Sequence, residues 1–163
     1  MPEENNKNVV DSKDNVSHEV NTEANDAKAS SQPDLSSVLG VVTALMMDSP
    51  VHEYFFLSDM KWLVVPPVRL RQFRIFRKDG MPFAYVCWAS VNEQTEARLK
   101  AGHVKLRPDE WNNGDNLWLV DLVAPFGGAE EVMKDLKRTV FEGKTVKSRQ
   151  VAPDGTGTAV VEW

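Results

Sequence analysis

A chain of 163 residues is the length of one folded domain with a short extension, and it can bury a core without disulfide or metal staples. Its single cysteine, Cys87, forms no internal bridge, and one cysteine with three scattered histidines lacks metal-site spacing, so no metal is expected. The net charge of −5 sits in the opening segment: residues 1–34 carry eight acids against three lysines, while the remaining 16 acids and 16 basic residues balance, which argues against nucleic acid as a partner.

No apolar run approaches the roughly 20 residues that span a bilayer. The start, Met1-Pro2-Glu3-Glu4, is acidic and lacks the basic-then-apolar pattern of a secretory signal. A soluble protein of the reducing cytoplasm is therefore expected. Residues 1–33 are rich in Asn, Ser, Asp, Glu and Lys and contain no aromatic side chain, which predicts a disordered acidic tail ahead of one domain over 34–163.

After Asp34, apolar residues at Leu35, Val38, Leu39, Val42, Leu45 and Met46 have the spacing of one helical face, with a stop near Asp48 before Pro50. From Trp62 to Val91 the composition turns to Val, Phe, Tyr, Ile and Trp. Asp79-Gly80 between Phe73–Phe76 and Phe83–Trp88 predicts a β-hairpin. Asn92 caps a short helix through Ala101, with Glu96 and Lys100 four apart and Gly102 as its end. A strand follows over Leu117–Val123, then a helix marked by Ala129, Val132, Met133, Leu136 and Val140, which Gly143 stops. Two closing strands, Thr145–Val151 and Thr158–Trp163, flank the turn Pro153-Asp154-Gly155. This order predicts an α/β sheet with helices packed on its faces.

Asp121 is unusual on chemistry alone, because it lies within Leu117-Trp118-Leu119-Val120-Asp121-Leu122-Val123, a run otherwise suited to a buried strand. Either it faces solvent or it has a partner. A histidine just after a helix, such as His52, is ordinarily a surface or hydrogen-bonded residue, and Cys87 reads as a small buried apolar side chain rather than a nucleophile.

Four segments change the weight on His52: Ser49-Pro50-Val51-His52, Ala84-Tyr85-Val86-Cys87-Trp88-Ala89, Gly114-Asp115, and Trp118 through Asp121 to Ala124-Pro125-Phe126-Gly127. In this order and spacing, from about Leu39 to about Val151, the chain resembles the activators of RTX haemolysins, the toxin-activating protein lysine acyltransferases. The resemblance implies a single GNAT-like acyltransferase domain with a central, mostly antiparallel sheet flanked by helices. It implies fatty acyl transfer from acyl carrier protein, with no bound cofactor, to lysines of an RTX protoxin, and a homodimer. Carried over residue by residue, it makes His52 and Asp121 the catalytic pair, adds Ser49 to it, and assigns Tyr85 and Gly114 to substrate binding. The acidic opening and the absence of a helical extension after Trp163 depart from the family pattern.

The chemistry suits these residue types. A lysine amine has a reference pKa of about 10.4, and only its neutral form attacks a thioester carbonyl. Histidine takes the proton as a general base, or attacks the thioester itself to give an acyl-imidazole; both routes need a carboxylate on the far ring nitrogen. An acidic carrier protein calls for a basic surface, and Arg69, Arg71, Arg74, Arg77 and Lys78 form the densest basic run, with Arg71 and Arg74 as the expected contacts. The acyl arm needs an apolar groove, to which Trp62, Phe83, Tyr85 and Trp88 are candidates. Two other functions fit the same pattern: an acetyl-coenzyme A acetyltransferase, disfavoured by the lack of a glycine-rich loop before a helix, and a non-catalytic toxin- or carrier-binding module.

Overall fold

The computed structural model describes residues 34–152, 155 and 157–163. The acidic segment expected to be disordered, and Pro153 and Asp154 of the last turn, lie outside the described residues.

The first helix, α1 (Leu35–Met47), begins where Asp34 accepts hydrogen bonds from the backbone of Ser36 and Ser37, and it buries the face Val38, Val42, Leu45 and Met46. Two short helices follow, α2 (Met60–Leu63) and α3 (Val65–Leu70). The strand-like composition that starts at Trp62 is thus overridden as far as Leu70. Pro66 and Pro67 stand in the first turn of α3, where their missing N–H groups cost nothing, whereas a strand ladder would need those donors.

The hairpin forms as its turn chemistry requires. β1 (Phe73–Lys78) pairs with β2 (Met81–Val91), Lys78 opposite Met81, and Asp79 and Gly80 take φ of 51° and 80°. Next come α4 (Glu93–Lys100), capped by Asn92 through the Thr95 N–H at 2.8 Å, then β3 (Asn116–Val123), α5 (Ala129–Thr139), β4 (Val146–Val151) and β5 (Thr158–Glu162).

The five strands form one open sheet in the order β1-β2-β3-β4-β5, antiparallel except for the β3–β4 pair, which α5 connects. Helices cover both faces, as expected for an α/β domain. On one face α1, α2 and Leu99 of α4 pack with Tyr85, Cys87, Ala89 and Trp118; on the other, Val132 and Leu136 of α5 pack with Val86, Leu119 and Phe141. Glu96 ties α4 to the sheet by accepting from Trp118 Nε1 at 3.2 Å, Lys147 Nζ at 2.6 Å and Lys100 Nζ at 2.9 Å. No helix among the described residues is long and apolar enough to cross a membrane.

Candidate active site

The chain leaves α1 in a tight turn. The His52 and Glu53 N–H groups both donate to the Ser49 carbonyl at 2.9 Å, and this curl brings the Ser49 hydroxyl to His52 Nδ1 at 2.7 Å. Both side chains are buried although the loop around them is not. The Phe55 ring meets the imidazole edge to face, with centroids 5.2 Å apart.

The other ring nitrogen, Nε2, lies 3.0 Å from Asp121 Oδ1, across 69 positions of sequence. A β-bulge makes this contact possible. Cys87 pairs with Asp121 and Trp88 with Leu119, so Val120 has no partner on β2. In a regular strand Asp121 would share the α5 face with Leu117 and Leu119. Instead Val120 and Asp121 both turn toward the α1 side, where Val120 packs against that core and Asp121 meets His52, and Leu122 resumes the α5 face. The bulge explains how a carboxylate sits within an apolar strand: it is withdrawn from the α5 core and given a partner. Asp121 Oδ1 also accepts the Leu122 N–H at 2.9 Å, while Oδ2 is buried without a protein partner among the described residues.

A cavity of about 880 Å³ opens beside this pair. The parallel pairing of β3 with β4 covers only Leu117–Leu119 against Val146–Ser148, yet both strands run on, to Val123 and Val151. Beyond the paired stretch the facing edges separate. The cavity occupies the gap, reaching Ser49 and His52 on the α1 side and Met133, Lys134 and Lys137 of α5 on the other. Leu119, Leu122, Ala124 and Trp163 supply apolar wall. A hydrogen-bonded histidine and carboxylate in the wall of a largely apolar cavity is equipped to move a proton on a substrate with a long apolar tail.

The RTX toxin acyltransferase family model matches residues 31–163. The chain belongs to the RTX toxin acyltransferase family. It is similar to an uncharacterized protein of Synechocystis, 34% identical over 120 residues that cover 72% of this chain and 82% of the relative. It is similar also to the lysine-acyltransferase RtxC of Vibrio cholerae, 29% identical over 136 residues covering 79% of this chain and 89% of the relative. The protein-lysine myristoyltransferase RtxC of Kingella kingae is 30% identical over 124 residues, covering 75% and 74%. The chain is accordingly an acyltransferase, as its sequence motifs suggest.

The structure of the acyltransferase brings Ser49, His52 and Asp121 together and leaves the other anticipated residues elsewhere. Tyr85 lies wholly within the core and does not line the cavity. Its hydroxyl is buried without a protein partner, and burial, with Cys87 and Asp121 nearby, pushes the phenol well above its usual range. Gly114 borders a separate polar pocket near Asn116 and Lys147. A Cβ there would come within 2.4 Å of the Asn92 nitrogen, so the position accepts glycine for packing reasons. Arg74 is paired with Asp135 at 3.1 Å and Thr139 at 2.7 Å, on the flank of α5, and neither it nor Arg71 lines the cavity. Cys87 is buried, and burial pushes its thiol up and keeps it protonated, in line with the apolar role read from sequence.

The expected groove aromatics are also placed elsewhere. Trp62 sits beneath Lys105, Phe83 against Phe76, and Trp88 against Phe141. Sequence reasoning read Met133 only as a marker of its helix and passed over Lys134 and Lys137. Their signal was the i, i+1, i+4 spacing on one side of α5, readable only once the open edge beside that helix was known. Among the described residues no group of three His, Cys, Asp or Glu side chains could hold a metal ion.

Proposed function

We propose that the chain moves a fatty acyl group from the thioester of acyl carrier protein to the ε-amino group of an internal lysine of an RTX protoxin. The observation that carries this reading is the hydrogen-bonded chain Ser49–His52–Asp121 at the wall of a largely apolar cavity that passes between the separated ends of β3 and β4. Relatives named lysine-acyltransferase and protein-lysine myristoyltransferase support both the acceptor and a long acyl group.

The hydrogen-bond network supports a division of roles. Asp121 Oδ1 accepts from the Leu122 N–H, so it acts as an acceptor toward His52 as well; Nε2 then carries the ring proton and Nδ1 keeps the lone pair. Nδ1 faces the Ser49 hydroxyl. As the neutral lysine nitrogen bonds to the thioester carbon, its proton passes through that hydroxyl to Nδ1, and Asp121 stabilises the imidazolium. The C–S bond breaks, and the departing sulfur takes the proton back from the imidazolium. Ser49 caps the lone pair that a nucleophilic histidine would need to aim at the thioester, which favours general-base catalysis over an acyl-imidazole.

The donor enters from the α5 side in this reading. An extended arm bearing amides suits the unpaired facing edges of β3 and β4, and Met133, Leu122 and Trp163 surround its fatty tail. The acidic carrier docks over α5, with Lys134 and Lys137 at the cavity, Arg74 on the outer flank of that helix, and Arg71 as a further contact. The reaction belongs to the cytoplasm, where carrier and unsecreted toxin meet. The family reading also implies a homodimer, checked by sedimentation.

The test is intact-mass spectrometry of an RTX toxin fragment incubated with long-chain acyl carrier protein or acetyl-coenzyme A. The expected result is an acyl increment on lysine with the carrier donor only, lost in His52→Ala. An increment from acetyl-coenzyme A alone would identify an acetyltransferase, and none from either donor a binding module.

A further inference from the structure

The loop that joins α1 to α2 is not built like an ordinary solvent loop. Met47, Val51, Tyr54, Phe56 and Leu57 are each at least 71% exposed, and Phe55 is 39% exposed. So much contiguous apolar surface on a chain of this size marks an interaction site. The loop gains nothing for its own core from these side chains, since the residues it does bury are Ser49 and His52. Val51 both faces solvent and lines the cavity, and the Phe55 ring lies against His52, which links the strap to the imidazole.

Charge separates this face from the α5 side. From Leu35 to Met60 there is no lysine or arginine, while Asp48 and Glu53 stand exposed on either side of His52. The α5 side of the same cavity carries Lys134 and Lys137 against Glu130, a wall of net positive charge. An acidic donor is attracted to the second face and repelled by the first; a cationic lysine held between apolar side chains fits the first.

We propose that the strap Met47–Leu57 is the docking surface for the acceptor polypeptide, an extended segment whose target lysine is flanked by apolar side chains. Tyr54, Phe56 and Leu57 take the flanking side chains, and Asp48 and Glu53 draw the ammonium toward the Ser49–His52 end of the cavity. This assignment rests on the lysine acyltransferase reading. It gives the reaction two faces, with donor and acceptor entering the gap from opposite sides of the sheet.

The test uses the full chain and the triple variant Tyr54→Ser/Phe56→Ser/Leu57→Ser. Acceptors are a synthetic peptide with one lysine among leucines and valines, the same peptide with serines and glycines in their place, and N-acetyl-lysine amide. Transfer from acyl carrier protein and binding of the fluorescently labelled peptides are measured in parallel, with sedimentation of both proteins. The expected result is a KM for the apolar peptide raised by about tenfold or more in the variant, weaker binding of that peptide, and transfer to N-acetyl-lysine amide within about twofold of the wild type. An unchanged KM and affinity for the apolar peptide overturns the proposal. So does an equal loss with the small amine, which would assign the strap to the donor, or a change in sedimenting mass, which would make it a contact between copies. A wild-type chain that acylates no acceptor refutes the acyltransferase reading, and the binding arm then still decides the strap.

Discussion

Replacing Asp121 by asparagine isolates what the carboxylate does, because the two side chains have nearly the same shape. In the native site Oδ1 accepts from His52 Nε2 at 3.0 Å and from the Leu122 N–H at 2.9 Å. If the asparagine carbonyl keeps both bonds, only the charge is lost, and the hydrogen bond falls from the charge-assisted to the neutral range, a loss of about 1–1.5 kcal/mol, or roughly 5- to 13-fold in rate. If the amide turns its NH2 toward the histidine, Nε2 must become the acceptor and Nδ1 the donor to Ser49. The base is then removed, and the loss reaches about 10²–10⁴-fold. Either orientation lowers kcat by at least about fivefold while KM changes little, because Asp121 acts on the ring and not on the acyl tail. Acyl transfer to a toxin fragment, followed by intact mass at several substrate concentrations, separates the two parameters, and a thermal melt verifies folding. A folded Asp121→Asn protein with kcat within about threefold of wild type would refute the role given to the pair.

Three further outcomes follow from the geometry. Burial raises the Glu96 carboxyl, but the hydrogen bonds from Lys147, Lys100 and Trp118 outweigh it and hold the group at about 2, below its ordinary 4.5. A depressed folded-state pKa adds stability above pH 4.5 that is lost as pH falls toward 2; denaturant midpoints should drop across that window by the equivalent of about 2 kcal/mol after solvent screening, and less in Glu96→Gln. Gly114→Ala forces a Cβ against the Asn92 backbone at 2.4 Å, so the melting temperature should fall by the equivalent of about 1–3 kcal/mol or more, with activity per folded molecule retained. Met133→Trp narrows the cavity from the α5 side, and a competition between long- and short-chain acyl carrier donors should shift by about tenfold toward the short one; unchanged selectivity would remove the acyl tail from that wall.

Much of the architecture was legible because it is specified within a few residues of chain. Asp79-Gly80 dictates its hairpin through two left-handed residues in succession, Asn92 caps α4 through its own side chain, and Glu96 meets Lys100 one helical turn away. Composition misled between Trp62 and Leu70, where Pro66 and Pro67 outweigh strand propensity. The motifs pointed to Ser49, His52 and Asp121, and the Ser49–His52 contact is itself local, a single turn after α1.

What the sequence by itself determined, then, was the set of elements apart from α2 and α3, the family and the residue types of the site. Only the tertiary structure decided why His52 and Asp121 meet and where a donor could reach them. Asp121 turns to the α1 face because β3 carries one residue more than its partner β2 at Val120, and the cavity exists because β3 and β4 stop pairing after Leu119 and Ser148 while both strands continue. Both features arise from the register between distant strands. A bulge or a gap of that kind leaves no mark on hydrophobic periodicity, since each strand alone reads as an ordinary apolar run.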